Sequence, residues 1–174
     1  SSYTELSKTY RSTFEINEFA KKVILDKNTY SQIDRHGDEV MITKQNTFDA
    51  KQIIDEAIKL KNTYNTVAIV CKNIEDTLLY NQLVKSQPYL SKFRIVTKND
   101  NVFVSEKIMI IPSYLAKGLE FDAVIVSNAS EKHYTEYERN LFYVVLTRAL
   151  HKLEIFYSGS LTPLLTKDTE NEEK

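Results

Sequence analysis

A chain of 174 residues, 42% of them hydrophobic, is long enough for one α/β domain and short for two; at this size a core holds without disulfide or metal. Its 23 Lys and Arg nearly cancel its 24 Asp and Glu, so wholesale electrostatic capture of nucleic acid is not written in the totals, although a local basic patch is compatible with them. A single cysteine excludes a disulfide framework, and the apolar runs are far short of a membrane span.

The first apolar pattern follows Ser12 and Thr13. Phe14, Ile16, Phe19, Ala20, Val23 and Ile24 recur at helical spacing, with Ser12 or Thr13 as the expected N-cap. Residues 27–38 are polar and read as a loop, and residues 39–44 as a short strand. A second helix is expected to start around Thr47–Asp49 and run through Ile53, Ile54, Ala57, Ile58 and Leu60. The run from Val67 to Cys71 reads as a buried strand with Cys71 as an inert thiol. A third helix is expected from Glu75 to Val84, stopping before Pro88. Short strands are expected at 93–97, 102–104, 107–111 and 123–126, with an irregular segment from Ser113 to Phe121. A helix from Tyr137 to Ala149 would place Tyr137, Leu141, Val144, Val145 and Arg148 on one buried face, before a last strand at 153–157. Residues 166–174 form a charged tail, expected to be disordered, and residues 1–165 the single domain. Short continuous apolar strands alternating with helices predict an α/β fold: a mainly parallel sheet with helices on both faces. Ligands of such sheets sit beyond the carboxyl ends of the strands, and the segment after Pro112 is expected there.

Three glycines are few, since average usage of about 7% gives roughly a dozen. They stand alone at Gly37, Gly118 and Gly159, so neither a G-x-x-x-x-G-K-[ST] phosphate loop nor a G-x-G-x-x-G turn is possible. Any nucleotide is therefore held mostly by something else. Gly118 stands between Lys117 and Glu120, where a carboxylate can accept from ribose hydroxyls; the alternative is an ordinary tight turn with solvated charges. Arg148, near a helix end, either snorkels and complements the helix dipole or forks onto phosphate. Tyr10 beside Arg11 suits stacking on a base and contact with a phosphate, or a plain surface position. His36, His133 and His151 show no metal spacing, and no nucleophile elbow is possible without its glycines.

Taken in order, these segments resemble the later motifs of the UvrD-like superfamily-1 helicases. Thr9-Tyr10-Arg11-Ser12-Thr13 is similar to the family's N-Y-R-S-T, residues 116–121 to its A-K-G-L-E-F, and residues 138–149 to its E-R-R-L-x-Y-V-x-x-T-R-A. The resemblance spans Tyr10 to Tyr157 and implies the second, RecA-like motor domain of such an enzyme. The first motor domain, N-terminal and absent here, would carry the phosphate loop and the Mg²⁺-binding acids, and the two would clamp ATP between them. By the same resemblance Tyr10 stacks on adenine, Arg11 and Arg148 reach the γ-phosphate as catalytic arginines, and Glu120 binds the sugar with Lys117 and Gly118 close by. Single-stranded DNA would pass Ser113 and Tyr114. Where the family usually has threonine and histidine, this chain has Pro112 and Tyr114, and the accessory insertion before this motif is missing. The segment P-S-Y-L-A-K-G-L-E-F-D resembles the HelD branch, which makes RNA polymerase an alternative partner. The start at Ser1-Ser2-Tyr3 reads as a piece of a longer protein, with no signal peptide and a reducing, cytoplasmic location expected.

Overall fold

A computed structural model of the protein describes residues 12–24, 35–99 and 102–166. Six strands, β1 (Met41–Gln45), β2 (Val67–Cys71), β3 (Phe93–Ile95), β4 (Ile108–Pro112), β5 (Phe121–Val126) and β6 (Ala149–Ser158), form one sheet in the order β1-β6-β5-β2-β4-β3. Every neighbouring pair is parallel. The helices are α1 (Phe14–Ile24), α2 (Ala50–Lys61), α3 (Ile74–Leu78), α4 (Asn81–Val84), α5 (Ser113–Ala116) and α6 (Arg139–Leu146), the last preceded by a 3₁₀ turn at Glu136–Glu138.

The strand sequences explain the layers. Side chains alternate across a pleated strand, so a sheet covered on both faces needs apolar residues at odd and even positions alike. In β2, Val67, Ile69 and Cys71 enter one core with Ile53, Ile54 and Ala57 of α2, while Ala68 and Val70 enter the other with Ile16, Ala20 and Val23 of α1. β4 divides the same way, Ile108 and Ile110 toward α2, Met109 and Ile111 toward α1. Phe142, Val145 and Leu146 of α6 complete the α1 side. Cys71 is fully buried, and burial pushes its thiol up to about 12, so it is chemically quiet.

The second helix starts within the expected range and is capped by Asp49, whose carboxylate accepts from the Lys51 and Gln52 backbone N–H groups. Several local expectations are corrected. The third helix is broken into α3 and α4. Residues 102–104 form no strand, and the segment after Pro112 is not irregular but makes the turn of helix α5. Tyr137 lies outside the last helix and is 98% exposed, so it shares no buried face with Val145. Neither Ser12 nor Thr13 caps α1 with its hydroxyl. Ser12 Oγ instead donates to the Ala149 carbonyl, and Thr13 Oγ1 is buried with no hydrogen bond among the described residues.

Candidate functional site

The connection from β4 to β5 begins at the carboxyl edge of the sheet and ends at the amino edge. That divides the predicted residues between two places. Lys117, Gly118 and Glu120 lie just before β5, and Arg148 just before β6, so both groups are at the amino edge. The expectation of a site at the carboxyl ends is therefore wrong for these four residues. They wall an open depression of about 620 Å³ together with Ser12, Asn17, Val104, Leu119, Tyr143, Val144 and Thr147.

Helix α6 supplies one wall because it carries two stripes. Phe142, Val145 and Leu146 face the core, whereas Tyr143, Val144, Thr147 and Arg148 are only partly buried and face the depression. Arg148 is held by its own fold: Nε donates to the Val144 carbonyl at 2.9 Å and Nη1 to the Leu119 carbonyl at 2.9 Å, with Nη2 3.4 Å from Thr147 Oγ1. Burial pulls its pKa down from the ordinary value, opposed by the nearby Glu120 carboxylate. A guanidinium stays charged at neutral pH all the same. With five N–H groups, it keeps donors beyond these three contacts for an incoming anion.

The bond from Arg148 to the Leu119 carbonyl pins the loop that contains Gly118. Gly118 has φ +87°, the left-handed region, yet a side chain there would meet nothing within 4 Å. Glycine is needed for the bend, and its exposed backbone faces the open depression. Lys117 is exposed and Glu120 half-buried on the same rim.

Tyr10 and Arg11 lie outside the described residues. Ser12 lies on the wall of the depression, and its hydroxyl is 2.6 Å from the carbonyl of Ala149, the residue after Arg148. Thr13 N–H donates to the Leu150 carbonyl at 3.0 Å, and buried Asn17 donates back to the Ser12 and Thr13 carbonyls. Gly37 packs against this start, where a Cβ would come 2.9 Å from Thr13 Cγ2. Asn17, Val104 and Thr147 were not expected at the site. Thr147 lies inside the motif at 138–149 without having been singled out, and no motif covers Asn17 or Val104.

At the carboxyl edge, Tyr114 is 52% exposed, whereas Ser113 is 1% exposed with its hydroxyl donating to the Lys72 carbonyl at 2.6 Å. Ser113 therefore offers no free hydroxyl to a ligand. Lys72, which follows β2, reaches Glu138 at 3.2 Å, and Glu138 in turn accepts from the Thr135 backbone N–H at 2.7 Å as a capping box ahead of α6. Bonds from Thr135 and the Lys72 charge hold the Glu138 carboxyl below its usual range. Sequence reasoning missed this pair, because the partners stand 66 residues apart.

Among the described residues no group of three His, Cys, Asp or Glu side chains is placed to hold a metal ion, and no helix is long and apolar enough to cross a membrane. A family model described as UvrD-like helicase C-terminal domain matches residues 107–155. Among solved structures, the C-terminal domain of a possible DNA helicase from Lactobacillus plantarum WCFS1 is similar with a TM-score of 0.73 and 31% sequence identity, over 90% of this chain and 91% of that one. No curated protein matches.

Proposed function

Because the chain belongs to the UvrD-like helicase C-terminal domains, we propose that it is the second motor domain of an ATP-dependent DNA helicase or translocase and completes an ATP site whose phosphate loop and Mg²⁺ ligands lie on a partner N-terminal RecA-like domain. The observation that carries the reading is the Ser12–Ala149 hydrogen bond on the wall of the amino-edge depression. It ties the residue after Arg11 to the residue after Arg148. Successive Cα atoms are about 3.8 Å apart, so this tie is what convergence of the two arginines on one ligand would require.

In this reading Arg148 and Arg11 approach the γ-phosphate, Glu120 accepts from the ribose, the Gly118 backbone and Lys117 line the sugar–phosphate edge, and Tyr10 stacks on adenine. The residues present suit such a ligand. The rim offers a fixed cation, an exposed lysine, an open glycine backbone and one carboxylate acceptor. ATP bridging the two domains makes contacts here only when they are together, so it favours the closed state by differential affinity. Hydrolysis removes the γ-phosphate contacts and releases the closure, and that cycle drives movement on single-stranded DNA. Tyr114, exposed at the carboxyl edge, is a stacking surface for a base; at Ser113 the contribution would come from the backbone rather than the buried hydroxyl.

The alternative, a HelD-like ATPase that remodels RNA polymerase, rests on the segment from Pro112 to Asp122. The test is ATP turnover by the intact protein with both motor domains. Arg148→Ala is expected to lower kcat by about 10³ or more while leaving the fold unchanged, and this chain by itself is expected to hydrolyse nothing. Unchanged turnover in the variant would refute the assignment. Stimulation by single-stranded DNA, without binding to RNA polymerase, favours the helicase over the alternative.

A further inference from the structure

Helix α6 crosses the α1 face of the sheet from the carboxyl edge to the amino edge. Its length, at 1.5 Å per residue, is roughly 12 Å. Glu138 stands immediately before its first residue and Arg148 two residues after its last. At the carboxyl edge the helix start is held by Lys72, whose ammonium meets Glu138 Oε1 and whose carbonyl accepts from Ser113. A second contact joins the same two segments, His133 Nε2 lying 3.0 Å from Asp76 Oδ2. Arg139 Nη1 donates to the Val23 carbonyl, so α6 and α1 are also fastened together near the carboxyl edge. At the other end, Ser12 is fastened to Ala149. The two helices thus form an antiparallel pair clamped at both ends.

We propose that Glu138 is a positioning residue for Arg148, and that through its ion pair with Lys72 it transmits the binding of single-stranded nucleic acid at the carboxyl edge to the nucleotide rim at the amino edge. This rests on the reading of Arg148 given above. The chemistry is a competition. Lys72 is partly exposed and carries one positive charge, which Glu138 holds. A phosphodiester laid beside Tyr114 and Ser113 offers that ammonium a second anion. Drawing Lys72 away leaves Glu138 with its Thr135 partners alone, which removes one of the two side-chain contacts that join the helix start to the segment after β2 and loosens it. Packed helices shift as rigid bodies between discrete arrangements, so a displacement at the first turn is carried to the last. Arg148, anchored to Val144 and Leu119, moves with the helix and its loop.

The experiment measures steady-state ATPase of the intact two-motor-domain protein with and without oligo-dT. The wild type is expected to be stimulated. Glu138→Gln, which keeps an acceptor for Thr135 but removes the charge that holds Lys72, is expected to cut the stimulation ratio at least about fivefold with little change in the KM for ATP. Lys72→Met is expected to cut it similarly, the double variant no further than the worse single, and Lys72→Arg to retain it. Hydrogen exchange gives a second readout. Oligo-dT is expected to raise exchange across residues 139–142 in the wild type and to leave it unchanged in Glu138→Gln. Full stimulation in Glu138→Gln, or losses that multiply in the double variant, would overturn the relay while leaving Arg148 in its role. Normal turnover in Arg148→Ala overturns both.

Discussion

Gly118 and Arg148 make one device. The glycine supplies a bend that other residues resist, and the arginine holds the bend by its bond to the Leu119 carbonyl. Because no atom crowds the Cα of Gly118, Gly118→Ala isolates the backbone term. It is expected to destabilise the chain by about 1 kcal/mol, read as a lower urea midpoint at constant m. Equal midpoints would mean that the loop relaxes freely. At this scale the sequence was informative where a motif resembles a known one. For Gly118, Glu120 and Arg148 residue type and position left an ordinary turn or a snorkelling arginine open, and the resemblance singled them out; the structure brings them to one depression. Ser113 shows the limit. A serine after a strand reads as available, and only the fold reveals that the Lys72 carbonyl has taken its hydroxyl.

Among the elements, β6 carries the least expected group. Glu154 is 3% exposed in the strand, beside Glu56 of α2, and burial with the neighbouring carboxylate pushes its pKa up to about 7. The folded state therefore holds this proton more tightly than the unfolded chain does. The stability it gives is full below about pH 4.5 and is lost as pH rises toward 7, above which the ionised carboxylate is a constant cost. Glu154→Gln is expected to flatten that window and to be more stable than the parent at pH 8 by on the order of 2 kcal/mol, with little difference at pH 4.5. Urea titrations at the two pH values decide it, and a variant weaker at both would show that the carboxylate has a structural partner that was overlooked. Strands β2, β4 and β5 were legible because a doubly covered sheet forces continuous apolar runs. The α6 helix was legible as a helix but not as a surface. Both its stripes are apolar enough to read as core, and periodicity alone does not say which one faces a cleft.

For the molecule as a whole, the parallel pairing follows from alternating elements, but the strand order and the edge at which the site lies do not. The usual rule places ligands beyond the carboxyl ends of strands. Here the β4–β5 connection starts at that edge and finishes at the other, so one motif contributes Tyr114 to the carboxyl edge and Lys117–Glu120 to the amino edge. A linear sequence hides such a division, since residues four apart look like one site. In the proposed function the same division gives the domain two working edges joined by α6. The central claim is that Arg11 and Arg148 converge on one triphosphate. The direct measurement is a structure of the intact protein, both motor domains present, with a non-hydrolysable ATP analogue. The account predicts both guanidinium groups at about 3 Å from γ-phosphate oxygens. A triphosphate fully coordinated by the partner domain, with Arg148 still turned to Val144 and Leu119 and Arg11 facing solvent, would contradict it.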